Sequence, residues 1–332
     1  MKFNNKTNLL INPWQDNSKS EFLFPIKPYE EMLAKLELDK NLLVNYFHQN
    51  QNTIQKNILK SPLITKDWLW SLYLPLLLSI KLKLRRSEKP LVIGISGLPG
   101  SGKSSFGSNF EQFALSHGID VKSISLDDFY MQSTQLETAM RGNPWGVPRG
   151  LPGSHSIEEI RESLDNFVDN GFLKAPQFDK SLRGGLGDRT GWIRMHPKVL
   201  ILEGWFLGCY PIDSSDLNKE EYRALFLPPL SDLECKYRIN VQNSLEGYSS
   251  LWSFLDKIVH IKAYDFFYTS IWKKQQEDQL FKLKGNSLRG ERLNSFIRMI
   301  QASIPLQSLQ SLKSDFTIVL NQFRQVIHTD NN

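Results

Sequence analysis

Residues 91–105, LVIGISGLPGSGKSS, join an apolar, β-branched run to a glycine-rich loop, and the amphipathic run that follows leaves few folds open. Gly97, Leu98, Pro99, Gly100, Ser101, Gly102, Lys103 and Ser104 fit G-x-x-x-x-G-K-[ST]. In that pattern successive backbone N–H groups surround phosphates, the lysine reaches the outer ones and the hydroxyl binds Mg²⁺. Gly100 and Gly102 let the backbone approach the ligand with no Cβ in the way. Leu91–Ser96 reads as a strand, and Phe106, Phe110, Phe113 and Ala114 recur at helical spacing before a stop at Gly118. Strand, loop and helix thus fall in the order the motif needs. The expected ligand is a nucleoside triphosphate, ATP, held by residues 97–104 together with Ser105.

A chain of 332 residues, 40% apolar, has ample material for a large core and a length prior of about two domains. Its formal charge of +5 comes from 40 basic and 35 acidic residues, dispersed apart from short clusters such as Lys81–Arg86, so no nucleic-acid partner is indicated. The two cysteines, Cys209 and Cys235, read as ordinary thiols of a reducing, cytoplasmic compartment. No secretory signal pattern opens the chain, and the most apolar window, Trp68–Ile80, is too short to span a bilayer and contains Pro75. It reads as a buried helix kinked at that proline. No membrane association is expected.

Residues 1–88 lack glycine and show helical periodicity at Met32, Leu33, Leu36 and Leu38, and again at Leu42, Leu43, Tyr46 and Phe47. They read as a helical N-terminal extension. From Lys89 onward, strand candidates at Leu91–Ser96, Val121–Leu126, Val199–Leu202, Ala224–Leu227, Ile258–Ile261 and Phe316–Leu320 alternate with helical patterns. Short buried strands separated by helices predict an α/β, doubly wound, mainly parallel sheet with helices on both faces. Residues 89–332 form the expected phosphate-loop domain, with an acceptor-binding insertion at about 135–195 and a lid region at about 235–285. In such sheets ligands bind beyond the carboxyl ends of the strands.

Phosphoryl transfer asks the protein for a phosphate cradle, Mg²⁺ ligands, a carboxylate near the acceptor hydroxyl and cations. Lys103 and Ser104 meet the first two needs. The second strand runs VKSISLDDFY, so Asp127 and Asp128 stand at its carboxyl end, where one can cap the following turn while the other faces the site. Asp127 is the expected base, and Asp128 is grouped with the substrate-binding residues. KVLILEGWFLG ends an apolar strand in Glu203, a carboxylate placed to orient Mg²⁺ with Ser104 and costly to bury without a cation nearby. Trp205 and Phe206 read as core. Between these strands lie two polar, glycine-rich segments, Arg141–Ser156 and Pro176–Trp192, which bring Arg141, Arg149, His155, Lys180, Arg183 and Arg189 as cations for an anionic acceptor.

Together, GLPGSGKS, SLDDFY, RGLPGSHSIE, FDKSLRGGLGDR and LILEGWFLG resemble the D-glycerate 3-kinase family, in the uridine kinase and phosphoribulokinase branch of P-loop kinases. The resemblance continues through YRINVQNSLEGYSSLW, IVHIKAYDFFYTSIWKKQQE and DFTIVLNQFRQV, covering roughly residues 89–327. It implies a P-loop NTPase fold and Mg²⁺- and ATP-dependent phosphorylation of D-glycerate to 3-phosphoglycerate. On that pattern Asp127 matches the base, Glu203 the acidic Mg²⁺ partner, and Arg141, His155, Asp179 and Arg189 the positions around the acceptor. Where W-R-x-Q-x-E is common in the family, this chain has Trp272, Lys273, Lys274, Gln275, Gln276 and Glu277, and Lys273 lacks the planar fork of arginine. Tyr264, Tyr268 and Trp272 read as a core stripe on one helix. Uridine, pantothenate or a pentose phosphate are alternative acceptors. A nucleotide-switched ATPase or assembly factor is the rival from another class.

Overall fold

Val92, Ile93 and Ile95 of β1 (Leu91–Gly97) and Val199, Leu200, Ile201 and Leu202 of β5 (Val199–Gly204) are buried without alternation, as strands covered on both faces must be. In the computed structural model, residues 12–14, 24–213, 217, 228–285, 287–310 and 312–330 are described. With β2 (Val121–Ser125), β6 (Lys257–Ala263), β7 (Phe316–Leu320) and β8 (Val326–Asp330) these strands form a sheet of order β2-β5-β1-β6-β7-β8. Every neighbouring pair is parallel except β7 with β8. This is the doubly wound P-loop NTPase sheet. The strand candidate at 224–227 lies outside the described residues.

The phosphate loop leads from β1 into α6 (Lys103–Ser116), which buries Phe106, Phe110, Phe113 and Ala114 and is followed by Gly118 at φ +81°. Against α6 pack α3 (Gln51–Lys60) and the run Lys66–Arg86, while α2 (Lys40–Gln49) packs on the second half of that run and α1 (Ile26–Lys35) on β8. Tyr73 lies 4.8 Å from Phe106 and 5.2 Å from Phe113, ring to ring. A single buried apolar cluster extends from Tyr29, Met32 and Phe47 through Trp70 and Leu77 to the sheet. The run Lys66–Arg86 is α-helical at both ends, α4 (Lys66–Trp68) and α5 (Leu74–Arg86), with a π turn at Leu69–Tyr73 that ends two residues before Pro75. Proline has no N–H to donate and its ring clashes with the carbonyl four residues back, and the wider π turn at that point relieves both problems.

The glycine-rich segment Pro176–Trp192, read from sequence as loop, is largely a β-hairpin. Strands β3 (Leu173–Asp179) and β4 (Asp188–Met195) pair antiparallel as a separate two-stranded sheet, and Gly184, Gly185 and Gly187 at its tip all have positive φ. The polar outward face of β4 hid it, because alternate residues there are half exposed. The stretch 235–285, the expected lid region, contains β6, which runs beside β1 in the sheet. Trp272 is buried in the helix Tyr268–Lys284, but Tyr264 precedes that helix and is 70% exposed, so the three aromatics do not form one stripe. Among the described residues no helix is long and apolar enough to cross a membrane.

Candidate active site

A cleft of about 820 Å³ crosses the carboxyl edge of the sheet, with the loop Pro99–Ser105 on its floor. The loop curls because Gly100 and Gly102 take φ of +82° and +100°, which a side chain would strain. At Gly100 space is also missing, as a Cβ would sit 2.7 Å from the Cβ of Trp272. Lys103 and Ser104 begin α6, so backbone N–H groups at the start of a long helix face the cleft floor.

Ser104 Oγ donates to Glu203 Oε1 at 2.6 Å, and Lys103 Nζ stands 3.7 Å from Glu203 Oε2. The strand register explains the meeting: Glu203 pairs with Ile95 on β1 and with Ser125 on β2, so its carboxylate emerges between the phosphate loop and the end of β2. Glu203 is only 4% exposed, and Lys103 is the cation that makes this burial tolerable. One hydroxyl and one carboxylate beside a phosphate cradle suit Mg²⁺, which prefers oxygen donors and keeps several waters and phosphate oxygens as ligands. Among the described residues no three His, Cys, Asp or Glu side chains converge as a metal cage.

Past β2 the chain makes a 3₁₀ turn, Leu126–Phe129, and its two aspartates divide the work. Asp128 accepts the Ser125 N–H at 3.0 Å in a capping box and the Phe178 N–H at 3.4 Å, so it lines the cleft with both oxygens engaged. Asp127 points to the cleft. Its Oδ2 accepts from Lys180 Nζ at 2.6 Å, its Oδ1 accepts from the Tyr130 hydroxyl at 2.7 Å, and His155 Nε2 lies 3.8 Å from Oδ1. Burial pushes the Asp127 carboxyl up, but the Lys180 ammonium and then His155 hold it well below the ordinary carboxylate range. Burial alone would lower the Lys180 ammonium, and the Asp127 carboxylate reverses this so that its pKa is raised.

His155 is fully buried, stacked 4.5 Å from Tyr130, with Nδ1 2.8 Å from the Tyr248 hydroxyl. Tyr248 in turn accepts the Gly153 N–H at 3.1 Å, which leaves its own proton for His155 Nδ1. That pattern and the carboxylate opposite assign the imidazole proton to Nε2, facing Asp127. Burial lowers the His155 pKa, so the ring is neutral near pH 7.

The remaining loop cations do not gather in the cleft. Arg141 is exposed after α7 (Ser133–Ala139) and is not among the cleft-lining residues. Arg149 is buried and donates to the carbonyls of Gly185 and Leu186 at 2.7 Å, holding the hairpin tip. Arg183 pairs with Glu137 on the outer side. Arg189 donates from Nε to the Tyr130 carbonyl at 2.8 Å and pairs with Glu159, so it braces the DDFY turn from behind. Asp179 accepts from the Ser181 N–H at 2.8 Å and the Ser181 hydroxyl at 2.6 Å in a local turn. Of the six loop cations, Lys180 lines the cleft, and His155 and Arg189 act on the residues that do.

No protein-family model matches the chain. A curated relative from Schizosaccharomyces pombe, the uncharacterized kinase mug58, is 30% identical over 220 residues, spanning 63% of this chain and 78% of the relative. The chain belongs to this kinase family. The chloroplastic D-glycerate 3-kinase of Arabidopsis thaliana is 28% identical over 282 residues, 78% of this chain and 58% of the plant protein. Among solved structures, a D-glycerate 3-kinase from Cryptococcus neoformans shares the fold, with a TM-score of 0.66 at 24% identity over 77% of this chain and 96% of the other.

The kinase uses more of its chain around the cleft than sequence patterns suggest. Pro62, Leu63, Thr65, Lys66, Asp67 and Trp68 from the N-terminal segment line it, as do Phe323, Arg324 and Gln325 from the β7–β8 turn. No local motif marks Pro62–Trp68, whereas Phe323, Arg324 and Gln325 fall within DFTIVLNQFRQV, where Arg324 also takes a positive φ. Lys273 lines the cleft and pairs with Glu277 Oε1 at 2.6 Å, whereas Lys274 is exposed. Burial lowers the Lys273 pKa against the opposing pull of Glu277.

Proposed function

We propose that this kinase transfers the γ-phosphoryl group of ATP to a hydroxyl of D-glycerate, giving 3-phosphoglycerate and ADP. The observation that carries this reading is the Asp127–Lys180 pair, 2.6 Å apart in the same cleft as the phosphate loop. The acceptor hydroxyl oxygen attacks the γ-phosphorus, the bond from that phosphorus to the bridging oxygen of ADP breaks, and the hydroxyl proton goes to Asp127. Lys180 is 54% exposed at its side chain and free to turn from Asp127 to the carboxylate of an anionic acceptor. When it turns, Asp127 loses its strongest charge partner and its basicity rises toward the value that burial sets. The Tyr130 hydroxyl holds the carboxylate in place meanwhile, with His155 Nε2 facing it at 3.8 Å.

Lys103 and the loop amides bind the triphosphate, and Lys103 reaches the charge that develops on the transferring group. Ser104 and Glu203 would hold Mg²⁺, which when bound neutralises phosphate charge. The plant relative's name supports D-glycerate as acceptor. Cys209 and Cys235 are both buried and neither is part of a disulfide, which fits a reducing, cytoplasmic setting.

The test is a coupled ADP-release assay with Mg²⁺ against D-glycerate, L-glycerate, uridine, pantothenate and ribulose 5-phosphate. Turnover with D-glycerate above the rest is expected. Preference for another acceptor overturns the substrate, and turnover with none of these acceptors overturns the whole reading.

A further inference from the structure

The sheet order gives the cleft a direction. Asp127 follows β2, Glu203 ends β5, the phosphate loop follows β1, and the β7–β8 turn lies on the far side of β6. Asp127 and the β7–β8 turn therefore flank the loop on opposite sides. That turn stands two strand spacings from β1, roughly 10 Å, within reach of the ribose and base of a nucleotide whose phosphates fill the loop.

We propose that the N-terminal segment Pro62–Trp68 and the hairpin tip Phe323–Gln325 together form the nucleoside pocket of the kinase. The inference rests on the kinase reading and extends it to residues outside the phosphate loop. Leu63 and Phe323 are 55% and 71% exposed, yet both line the cleft, so they offer apolar surface to the flat faces of a base. Gln276, Gln279 and Gln325 line the same cleft and carry amides that both donate and accept, as base edges require.

The segment is tied to the phosphate loop by hydrogen bonds. Asp67 Oδ2 accepts the Val326 N–H at 2.7 Å, and Trp68 Nε1 donates to the Arg324 carbonyl at 2.8 Å. Arg324, at φ +61°, donates from Nε to the Gly100 carbonyl at 2.7 Å and from Nη1 to Gln275 at 2.8 Å. A left-handed arginine is uncommon and needs such anchoring. The N-terminal helices thereby become a wall of the nucleotide site and set the hairpin against the loop.

Calorimetric titration of the full chain with ATP and with inorganic tripolyphosphate tests this. The double variant Leu63→Ala with Phe323→Ala alters exposed side chains, and a thermal melt checks that its fold is intact. Affinity for ATP should fall roughly tenfold, as when a base loses its stacking partners, with affinity for tripolyphosphate unchanged. Equal affinities before and after substitution, or equal losses for both ligands, overturn the nucleoside pocket and leave the kinase reading standing. If the unaltered chain binds neither ligand, the kinase reading fails and the pocket with it.

Discussion

Ser104 Oγ and Glu203 Oε1 meet at 2.6 Å, joining the start of α6 to the end of the neighbouring strand β5. This contact places a hydroxyl and a carboxylate where a divalent cation can bridge protein and phosphate. Replacing Glu203 by Gln keeps the shape and removes the charge. Turnover should fall by roughly 10²-fold, with a higher Mg²⁺ requirement. A Mg²⁺ titration of the rate checks it, and an unchanged half-saturation would remove Glu203 from the metal site.

Asp127→Asn should leave ATP binding near its original strength and lower kcat by a factor on the order of 10² to 10⁴, the usual range for a lost general base. Steady-state rates paired with direct ATP titration separate the two effects. Loss of ATP binding in the variant would point to a structural role instead.

Lys180→Met bears on pH dependence. Lys180 is the main charge that lowers the Asp127 pKa, so its removal lets that pKa rise toward the value favoured by burial. Because Asp127 must be ionised to accept a proton, the acid limb of kcat/KM should move to higher pH in the variant. An acid limb that stays in place would show that another group controls it.

His260, on β6 and 4% exposed, has its pKa lowered by burial and by Lys262 from 6.5 to about 3. The folded state therefore binds fewer protons than the unfolded state below the ordinary histidine pKa. Its contribution to stability is complete above about pH 6.5 and is lost as pH falls toward the folded value, at about 1.4 kcal/mol per pH unit. Chemical denaturation from pH 7 to 4 should show this slope, and His260→Leu should flatten it.

Gly100→Ala forces a Cβ to within 2.7 Å of Trp272 Cβ and 2.9 Å of its backbone carbon, at a φ of +82°. A stability loss of roughly 1 to 3 kcal/mol is expected, together with weaker binding of tripolyphosphate. Denaturant melts and titration read the two losses independently.

Much of the site was legible because its parts are local. Eight contiguous residues define the phosphate loop, Glu203 ends an apolar run that reads as a buried strand, and Asp127 follows the alternating run VKSISL just past the end of β2. The adjacency of β2, β5 and β1, which brings the three features into one cleft, depends on strand order and has no local signature. The loop cations show the same limit. Arg141, Arg149, Lys180, Arg183 and Arg189 look alike in a polar segment, and the β3–β4 hairpin alone sends Lys180 to Asp127 and Arg189 to the back of the DDFY turn.

Residues 1–88 mark the boundary most clearly. Their periodicity determined helices with apolar faces, since a 3.6-residue repeat of large side chains is stable only against a core. That the turn after α3 lines the nucleotide end of the cleft was decided by docking, through Trp68 to Arg324 and Asp67 to Val326, contacts more than 250 positions apart in the chain. Local sequence determined the triphosphate loop, the strand-end carboxylates and the helical character of the first segment, because each depends on neighbouring residues. Tertiary structure decided which cation meets Asp127 and which segments wall the cleft, because those pairings are set by how strands order and helices pack.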